Sequence, residues 1–261
     1  MDLKGAVAIV TGSSSGIGAA SARLLASRGC NVVINFSRSE GPAKAVAEEC
    51  EALGAETLLC RADVAQDADC RRMAAAAMER WGRIDALVNN AGTTKFVNHP
   101  DLDGLSAEDF QRIYAVNLVG PFQMIRAVAP HMKARGAGAV VNVSSIAGVM
   151  GTGSSIAYAA SKGALNTMTL SLARVLGPEI RVNTVCPGFV QGDWLREGMG
   201  AERYDATRRH LEETTPLRGT ATAEKVAQAV VWFIEGADLS TGEFLMVDAG
   251  HHLARTPLRA R

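Results

Sequence analysis

The amino-acid sequence predicts an α/β fold, a single-domain doubly wound parallel sheet with helices on both faces. Three observations carry this expectation. Apolar runs of strand length alternate with helix-forming stretches along the chain, a glycine-rich turn joins the first run to the first helix, and short polar pairs stand where the runs end. Alternating strands and helices require crossovers between parallel neighbours, and right-handed crossovers put helices on both sheet faces.

The runs, in order, are AVAIVT (6–11), NVVINF (31–36), AETLLC (55–60), IDALVN (84–89), GAVVNVS (138–144), RVNTVC (181–186) and EFLMVD (243–248). Between them lie segments such as GPAKAVAEECEAL and CRRMAAAAMERW, with helical spacing and good helix formers. No linker, repeat or charge block divides residues 1–261. In a sheet of this kind ligands bind beyond the carboxyl ends of the strands. Thr11-Gly12, Ser37-Arg38, Asp63, Asn89-Asn90, Ser144-Ser145 and Pro187-Gly188 are therefore expected to converge on one crevice.

Composition narrows the function classes. Hydrophobic residues at 48% are enough for a sizeable core. Lys+Arg and Asp+Glu both number 27, so the chain lacks the basic excess of a nucleic-acid binder. Five scattered cysteines without framework spacing argue for reduced thiols in a cytoplasmic protein. His251-His252 has no Cys, Asp or Glu at zinc-ligand spacing, so no metal site is expected. Residues 136–161 carry no charge and are long enough to span a bilayer, but Asn142, five serines and five glycines oppose insertion. A buried strand, a loop and a helix start fit them better.

The turn TGSSSGIG (11–18) follows the first strand and opens the first helix. Gly12 permits a tight turn, Gly16 lets a phosphate approach the helix N-terminus, and Gly18 allows close packing of the helix. Ser14, Ser15 and Ile17 complete this expected cofactor contact. The second strand ends in Ser37-Arg38 without the acidic residue that NAD-selective folds place there. An arginine suits a 2′-phosphate, which favours NADP over NAD.

In YAASK (158–162), Lys162 stands one helical turn beyond Tyr158 on the same face. A phenol with a pKa near 10 is a poor acid or base near neutrality. The ammonium and an oxidised nicotinamide would both favour phenolate, so the pair is expected to lower the Tyr158 pKa. Ser145, thirteen residues before Tyr158, is placed to bond the substrate oxygen. The three make a proton donor and acceptor for carbonyl–alcohol interconversion.

With these motifs the chain resembles the short-chain dehydrogenase/reductase family, over residues 4 to 253. Thr11 to Gly18 match its glycine turn, and Ser145, Tyr158 and Lys162 match its catalytic spacing. The resemblance implies a Rossmann-like fold and further roles. Asn89 to Gly92, including Asn90, Ala91 and Gly92, would brace the sheet beside the adenosine. Asp63, with Val64, would contact the adenine. Asn117 would hold a water linking the lysine to solvent. Pro187-Gly188, with Val190 beyond them, would flank the nicotinamide. Three positions depart from the pattern. Ser15 stands where NADP-preferring relatives often carry a basic residue, Gly192 where a threonine is usual, and Ala249 where a glycine is usual.

The segment 189–222 reads as a substrate lid. AERYDATRRHLEET (201–214) is expected to be a short helix, and Phe189, Trp194, Leu195, Met199 and Tyr204, with Phe96 and Met150, are candidates to line a pocket. Arg196, Arg203, Arg208 and Arg209 have acidic neighbours, so no anionic subsite is expected. The partner is then a small-molecule carbonyl or alcohol. The alternatives are a 3-oxoacyl-carrier-protein reductase and a non-catalytic dinucleotide-binding sensor. Apolar residues Phe110, Ile113, Met124, Ile125, Leu165, Met168, Leu172 and Val175, with Leu245 and Met246, point to a homotetramer, joined by a tail at 251–261.

Overall fold

The computed structural model describes residues 1–253, so the end of the expected tail, from residue 254, lies outside the described residues. The strands are β1 (Val7–Val10), β2 (Asn31–Phe36), β3 (Thr57–Arg61), β4 (Ala86–Asn89), β5 (Gly138–Val143), β6 (Ile180–Pro187) and β7 (Phe244–Val247). All seven apolar runs form them. They make one parallel sheet in the order β3-β2-β1-β4-β5-β6-β7. The chain winds outward from β1 to β3, returns to β4 beside β1, and winds outward the other way. A crevice is thereby left at the carboxyl ends of β1 and β4.

The helices are α1 (Gly16–Ser27), α2 (Glu40–Ala52), α3 (Asp67–Trp81), α4 (Ala107–Tyr114), α5 (Gly120–Arg135), α6 (Ala147–Met150), α7 (Ile156–Leu176), α8 (Asp193–Met199), α9 (Ala201–Thr214) and α10 (Ala223–Glu235). A π-helical turn, Ala115–Val119, joins α4 to α5. Successive strand residues feed opposite layers: Ala8, Val10, Val32, Ile34, Ala86 and Val88 pack under α1, α2 and α10. Ile9, Val33, Leu87 and Val140 pack under α3, α5 and α7. Burial on both faces explains why the runs are apolar throughout rather than alternating.

Beneath the crevice a polar chain crosses the buried sheet. Asn89 Nδ2 donates to Asn142 Oδ1 at 2.9 Å, Asn142 Nδ2 to Thr169 Oγ1 at 2.9 Å, and the Thr169 and Thr184 hydroxyls meet at 2.8 Å. Buried polar groups that satisfy each other fix the strand ends against α7.

Four residues expected on an association surface are instead core. Ile113, Met124, Ile125 and Leu165 are fully buried within the chain. The helical period identifies an apolar stripe but not how much of it neighbouring elements cover. No helix of the described residues is long and apolar enough to cross a membrane.

Candidate active site

The first half of the site is built by backbone. Gly12 sits at φ +61°, and its N–H donates to Asn35 Oδ1 at 2.9 Å. A Cβ on Gly12 would lie 2.9 Å from the Ala91 Cα, and one on Gly18 would lie 2.4 Å from both Gly12 O and Asn90 Nδ2. Asn90 Nδ2 in turn donates to the Thr11 and Gly12 carbonyls at 2.9 Å each. The Thr11 hydroxyl accepts the Asn90 and Ala91 amides at 3.0 Å. The turn after β1 and the segment after β4 therefore hold each other across the crevice. Gly18 packs closely against that turn.

A dinucleotide fits this cradle. No atom stands within 4 Å of where a Gly16 side chain would project. Ser14, Ser15, Gly16 and Ile17 all line a continuous cleft of roughly 1490 Å³, more than one drug-sized ligand fills. Ser37, Arg38, Asp63, Val64, Asn90, Ala91, Gly92, Pro187, Gly188 and Val190 line the same cleft. Thr11 and Asn89, expected among the converging residues, lie beneath it as buried braces. Glu40, the acid nearest Arg38 in sequence, pairs with Lys44 at 2.7 Å.

Arg61 was missed by the sequence reading. It is the residue paired in register with Phe36, so the ends of β2 and β3 bring Arg61 and Arg38 to one side of the cleft. The available signal was a basic residue closing the third apolar run.

The second half is built by side chains. Ser155 caps α7, its hydroxyl accepting the Tyr158 amide at 3.2 Å, which fixes Tyr158 in the first turn. Lys162 follows on the same face, with Nζ 5.7 Å from the Tyr158 ring centroid. Its ammonium donates to the Val143 carbonyl at 2.8 Å, and only 4% of the residue is exposed. Ser145, after β5, accepts the Ala147 amide at 3.1 Å and donates to Pro187 O at 3.5 Å. Ser145, Tyr158 and Lys162 all face the cleft.

Asn117 stands behind them in the π-helical turn, fully buried. Its amide is spent on protein: Oδ1 accepts the Thr93 amide at 2.8 Å, and Nδ2 donates to Thr93 O at 2.9 Å and Ser161 Oγ at 3.0 Å. The side chain thus ties the segment after β4 to α7.

The electrostatics differ from the sequence expectation. Burial pushes the Tyr158 phenol up to about 12, with the Ser145 hydroxyl offsetting part of the rise. Burial also draws the Lys162 ammonium down to about 8. Its own burial therefore holds Tyr158 protonated. A phenol raised this far is a poor proton donor by itself, and a further positive charge at the cleft would pull its pKa down.

The lid candidates separate into two sets. Tyr204 is buried, its ring 5.0 Å from Phe189 and its hydroxyl accepting the Gly192 amide at 3.2 Å. It packs the lid onto the body. Phe96, Phe189, Trp194, Leu195 and Met199 line the cleft, whereas Met150, at the end of α6, lies outside that lining. Arg196 pairs with Asp205 at 3.1 Å and Arg208 with Glu212 at 2.8 Å, while Arg203 donates to Asn98 Oδ1 at 3.0 Å. Among the described residues no group of three or more His, Cys, Asp or Glu side chains is arranged to hold a metal. His252 instead contacts Asp248.

The short chain dehydrogenase family model matches residues 6–201. The proposed ketoacyl reductase 2 of the granaticin polyketide synthase of Streptomyces violaceoruber is 43% identical over 247 residues, covering 95% of this chain and 96% of that protein. The 3-oxoacyl-[acyl-carrier-protein] reductase of Staphylococcus epidermidis is 33% identical, covering 94% and 98%. Among solved structures, a proposed short-chain dehydrogenase/reductase of Burkholderia xenovorans superposes with a TM-score of 0.88 at 41% identity, covering 95% of this chain and 98% of that one. An NAD+-bound xylitol dehydrogenase superposes with the same TM-score at 25% identity, covering 96% and 100%. With a glycine turn, a Ser-Tyr-Lys cluster and matches of this extent, the chain belongs to the short-chain dehydrogenase family of oxidoreductases.

Proposed function

We propose that the chain is an NADP(H)-dependent reductase or dehydrogenase interconverting a carbonyl compound and its secondary alcohol, with Tyr158 as the proton donor and acceptor. The observation that carries this reading is the meeting of Ser145, Tyr158 and Lys162 at one end of a cleft whose other end is the glycine turn with Arg38. When bound, the reduced nicotinamide supplies the hydride that the carbonyl carbon accepts. The Ser145 hydroxyl orients the carbonyl oxygen, and Tyr158 gives that oxygen its proton. Lys162 stabilises the phenolate left behind, and Asn117 holds the segment beside the lysine in place. In the oxidative direction Tyr158 takes the proton back.

Two guanidinium groups, Arg38 and Arg61, support NADP over NAD. Asp63 and Val64 are assigned to the adenine, and Pro187, Gly188 and Val190 to the nicotinamide. A screen of NADPH and NADH oxidation across ketones, sugars, steroids and acyl thioesters tests the reading. Turnover of at least one carbonyl class, faster with NADPH, is the expected result. No turnover with any class would leave the non-catalytic sensor as the better account.

The names of the Streptomyces and Staphylococcus relatives favour a second reading, reduction of a 3-oxoacyl group on a carrier protein. Pairing of Arg196 with Asp205 and of Arg208 with Glu212 weighs against docking of an acidic carrier there, whereas Arg203, bonded to the uncharged Asn98, keeps its charge. Inclusion of the acyl thioester in the screen, free and carrier-bound, separates the two.

We also propose a homotetramer. Val119, Phe122 and Val175 on α5, α7 and the π-helical turn remain exposed, Phe122 at 41% and Val175 at 65%. Leu118, Phe122 and Met168 line an apolar groove between those helices, and among the described residues β7 pairs on only one side. Light scattering tests it: about four times 27.4 kDa supports the assembly, and a mass near 27.4 kDa contradicts it.

A further inference from the structure

One short helix, α8, borders the cleft beside Tyr158, and the Phe96 ring packs against it. Trp194 and Gly198 stand four residues apart on α8, hence on the same face. Both meet Phe96, from the segment after β4. The Trp194 and Phe96 ring centroids are 5.6 Å apart at 59°, and a Cβ on Gly198 would fall 1.9 Å from Phe96 Cε2. The ring of Phe96 thus seats directly on the helix backbone and sets where Trp194 lies. Trp194 then extends to the reacting phenol, its ring centroid 6.2 Å from that of Tyr158 at 48°.

In spite of two aromatic neighbours, Trp194 is 50% exposed. It carries a broad, flat apolar surface towards the cleft beside the proton donor. The hydroxyls of Thr94 and Ser154, both near the Phe96 segment, bond each other at 2.7 Å, and Arg196 is paired with Asp205. A polyol would find those two hydroxyls spent on each other, and an anion would find Arg196 paired, with Arg203, held by the uncharged Asn98, as the lid arginine that lines the cleft. An uncharged ring finds a stacking surface at the 4.5–7 Å centroid spacing that aromatic pairs favour.

We propose that Trp194, positioned by Phe96, selects flat ring ketones as substrates, the ring lying on the indole while the carbonyl oxygen turns to Tyr158 and Ser145. This rests on the carbonyl-reductase reading above and names the substrate class of that same site. Reduction of such a ketone converts its C=O to CH–OH: NADPH would supply the hydride, two electrons with one hydrogen, to the carbon, and Tyr158 the proton to the oxygen.

The test compares 2-tetralone, a flat bicyclic ketone of ten carbons, with 2-decanone, a linear ketone of the same carbon number. Plain hydrophobicity favours the linear ketone, which exposes more apolar area, whereas stacking favours the ring. Wild type is expected to show a higher kcat/KM for 2-tetralone. Trp194→Ala is expected to lower the ratio of the two kcat/KM values about tenfold, or about 1.4 kcal/mol, chiefly through the KM for 2-tetralone. Trp194→Phe is expected to restore most of the ratio. An unchanged ratio in Trp194→Ala, with both ketones losing equally, would show that the indole only packs the lid and would overturn the proposal. A second arm measures 2-tetralone binding calorimetrically with NADP+ present, in Tyr158→Phe with and without Trp194→Ala. Loss of affinity on removing the indole supports the proposal, and an unchanged affinity overturns it. Because that arm needs no turnover, a wild type that reduces no ketone would count against the reductase reading, while the binding arm still decides the role of Trp194.

Discussion

Two close-packed glycines stand at opposite ends of the cleft, and they are glycine for different reasons. A Cβ on Gly18 would strike the Gly12 carbonyl and the Asn90 side chain, which are tied to each other and to β1 and β4. A Cβ on Gly198 would strike only the far edge of the Phe96 ring. The first obstacle belongs to a turn that two strands hold from both sides. The second is a side chain under a helix that has no buried residue of its own. The cofactor end is therefore built as part of the sheet, and the lid is laid over it afterwards. We assign chemistry to the part held by the sheet and selectivity to the lid.

The sharpest way to break this division is at its fixed end. Tyr158→Phe removes the proton donor while leaving α7 and its Ser155 cap in place. It is expected to lower kcat by about 10³-fold for every substrate, within the range proton transfer contributes, with NADP affinity little changed. Steady-state kinetics with a cofactor titration checks both. Substrate-dependent losses would place the tyrosine on the selective side instead.

The glycines themselves come next. Gly18→Val is expected to cost about 1–3 kcal/mol of stability, as overpacking against a fixed wall does, and to remove most of the NADP affinity. Gly198→Val is expected to leave NADP affinity intact and to raise substrate KM, because Phe96 turns aside and α8 lifts. Equal damage to cofactor binding from both would contradict the division into fixed floor and movable lid.

A smaller effect is expected from Arg38→Ala. Loss of a charge-assisted hydrogen bond is worth about 1.5–3 kcal/mol, so NADP affinity should fall roughly ten- to a hundredfold relative to NAD. Arg61 on the neighbouring strand end would moderate the loss, and the double variant should lose more. Equal losses for NADP and NAD in a titration would mark Arg38 as a surface charge only.

The smallest effect is on stability. Burial lowers Lys162 to about 8 from an ordinary 10.5, so in that window the unfolded chain holds more protons than the folded one. Folding stability attributable to this group therefore rises with pH from about 8 towards 10.5 and is lowest at neutrality. Lys162→Met should be stabilised relative to wild type at pH 7, by on the order of 1–3 kcal/mol, and the difference should shrink by pH 9.5. Tyr158, raised to about 12 from 10, loses its proton near pH 10 in the unfolded chain only, an opposing effect that both proteins share and that cancels in their difference. Urea midpoints at the two pH values check it, and a difference that grows with pH would contradict the buried-ammonium account.

What could be read from sequence follows the same division. The seven strands, the glycine turn and the placement of Ser145, Tyr158 and Lys162 are fixed by local spacing on one helix and by strand–turn–helix junctions. The 201–214 helix was also legible, with the bounds of α9. The direction of the Tyr158 shift was not, because it depends on how deeply α6 and β5 bury the pair. Nor could spacing separate Trp194 from Tyr204: one, on the seven-residue α8, faces the cleft and the other, on α9, the body, and so short a helix as α8 does not declare its inner face. Met150 and the four buried helix residues fail for the same reason. Their environment is set by elements distant in sequence.

The central claim, hydride and proton delivered to one carbonyl from opposite partners at this site, has a direct measurement. NADPH carrying deuterium at the transferable ring position is incubated with an accepted ketone, and the alcohol is analysed by mass spectrometry and NMR. The account predicts one deuterium on the carbinol carbon per NADPH consumed with wild type, and no alcohol above background with Tyr158→Phe. Alcohol without deuterium, or equal deuterated product from Tyr158→Phe, would contradict it.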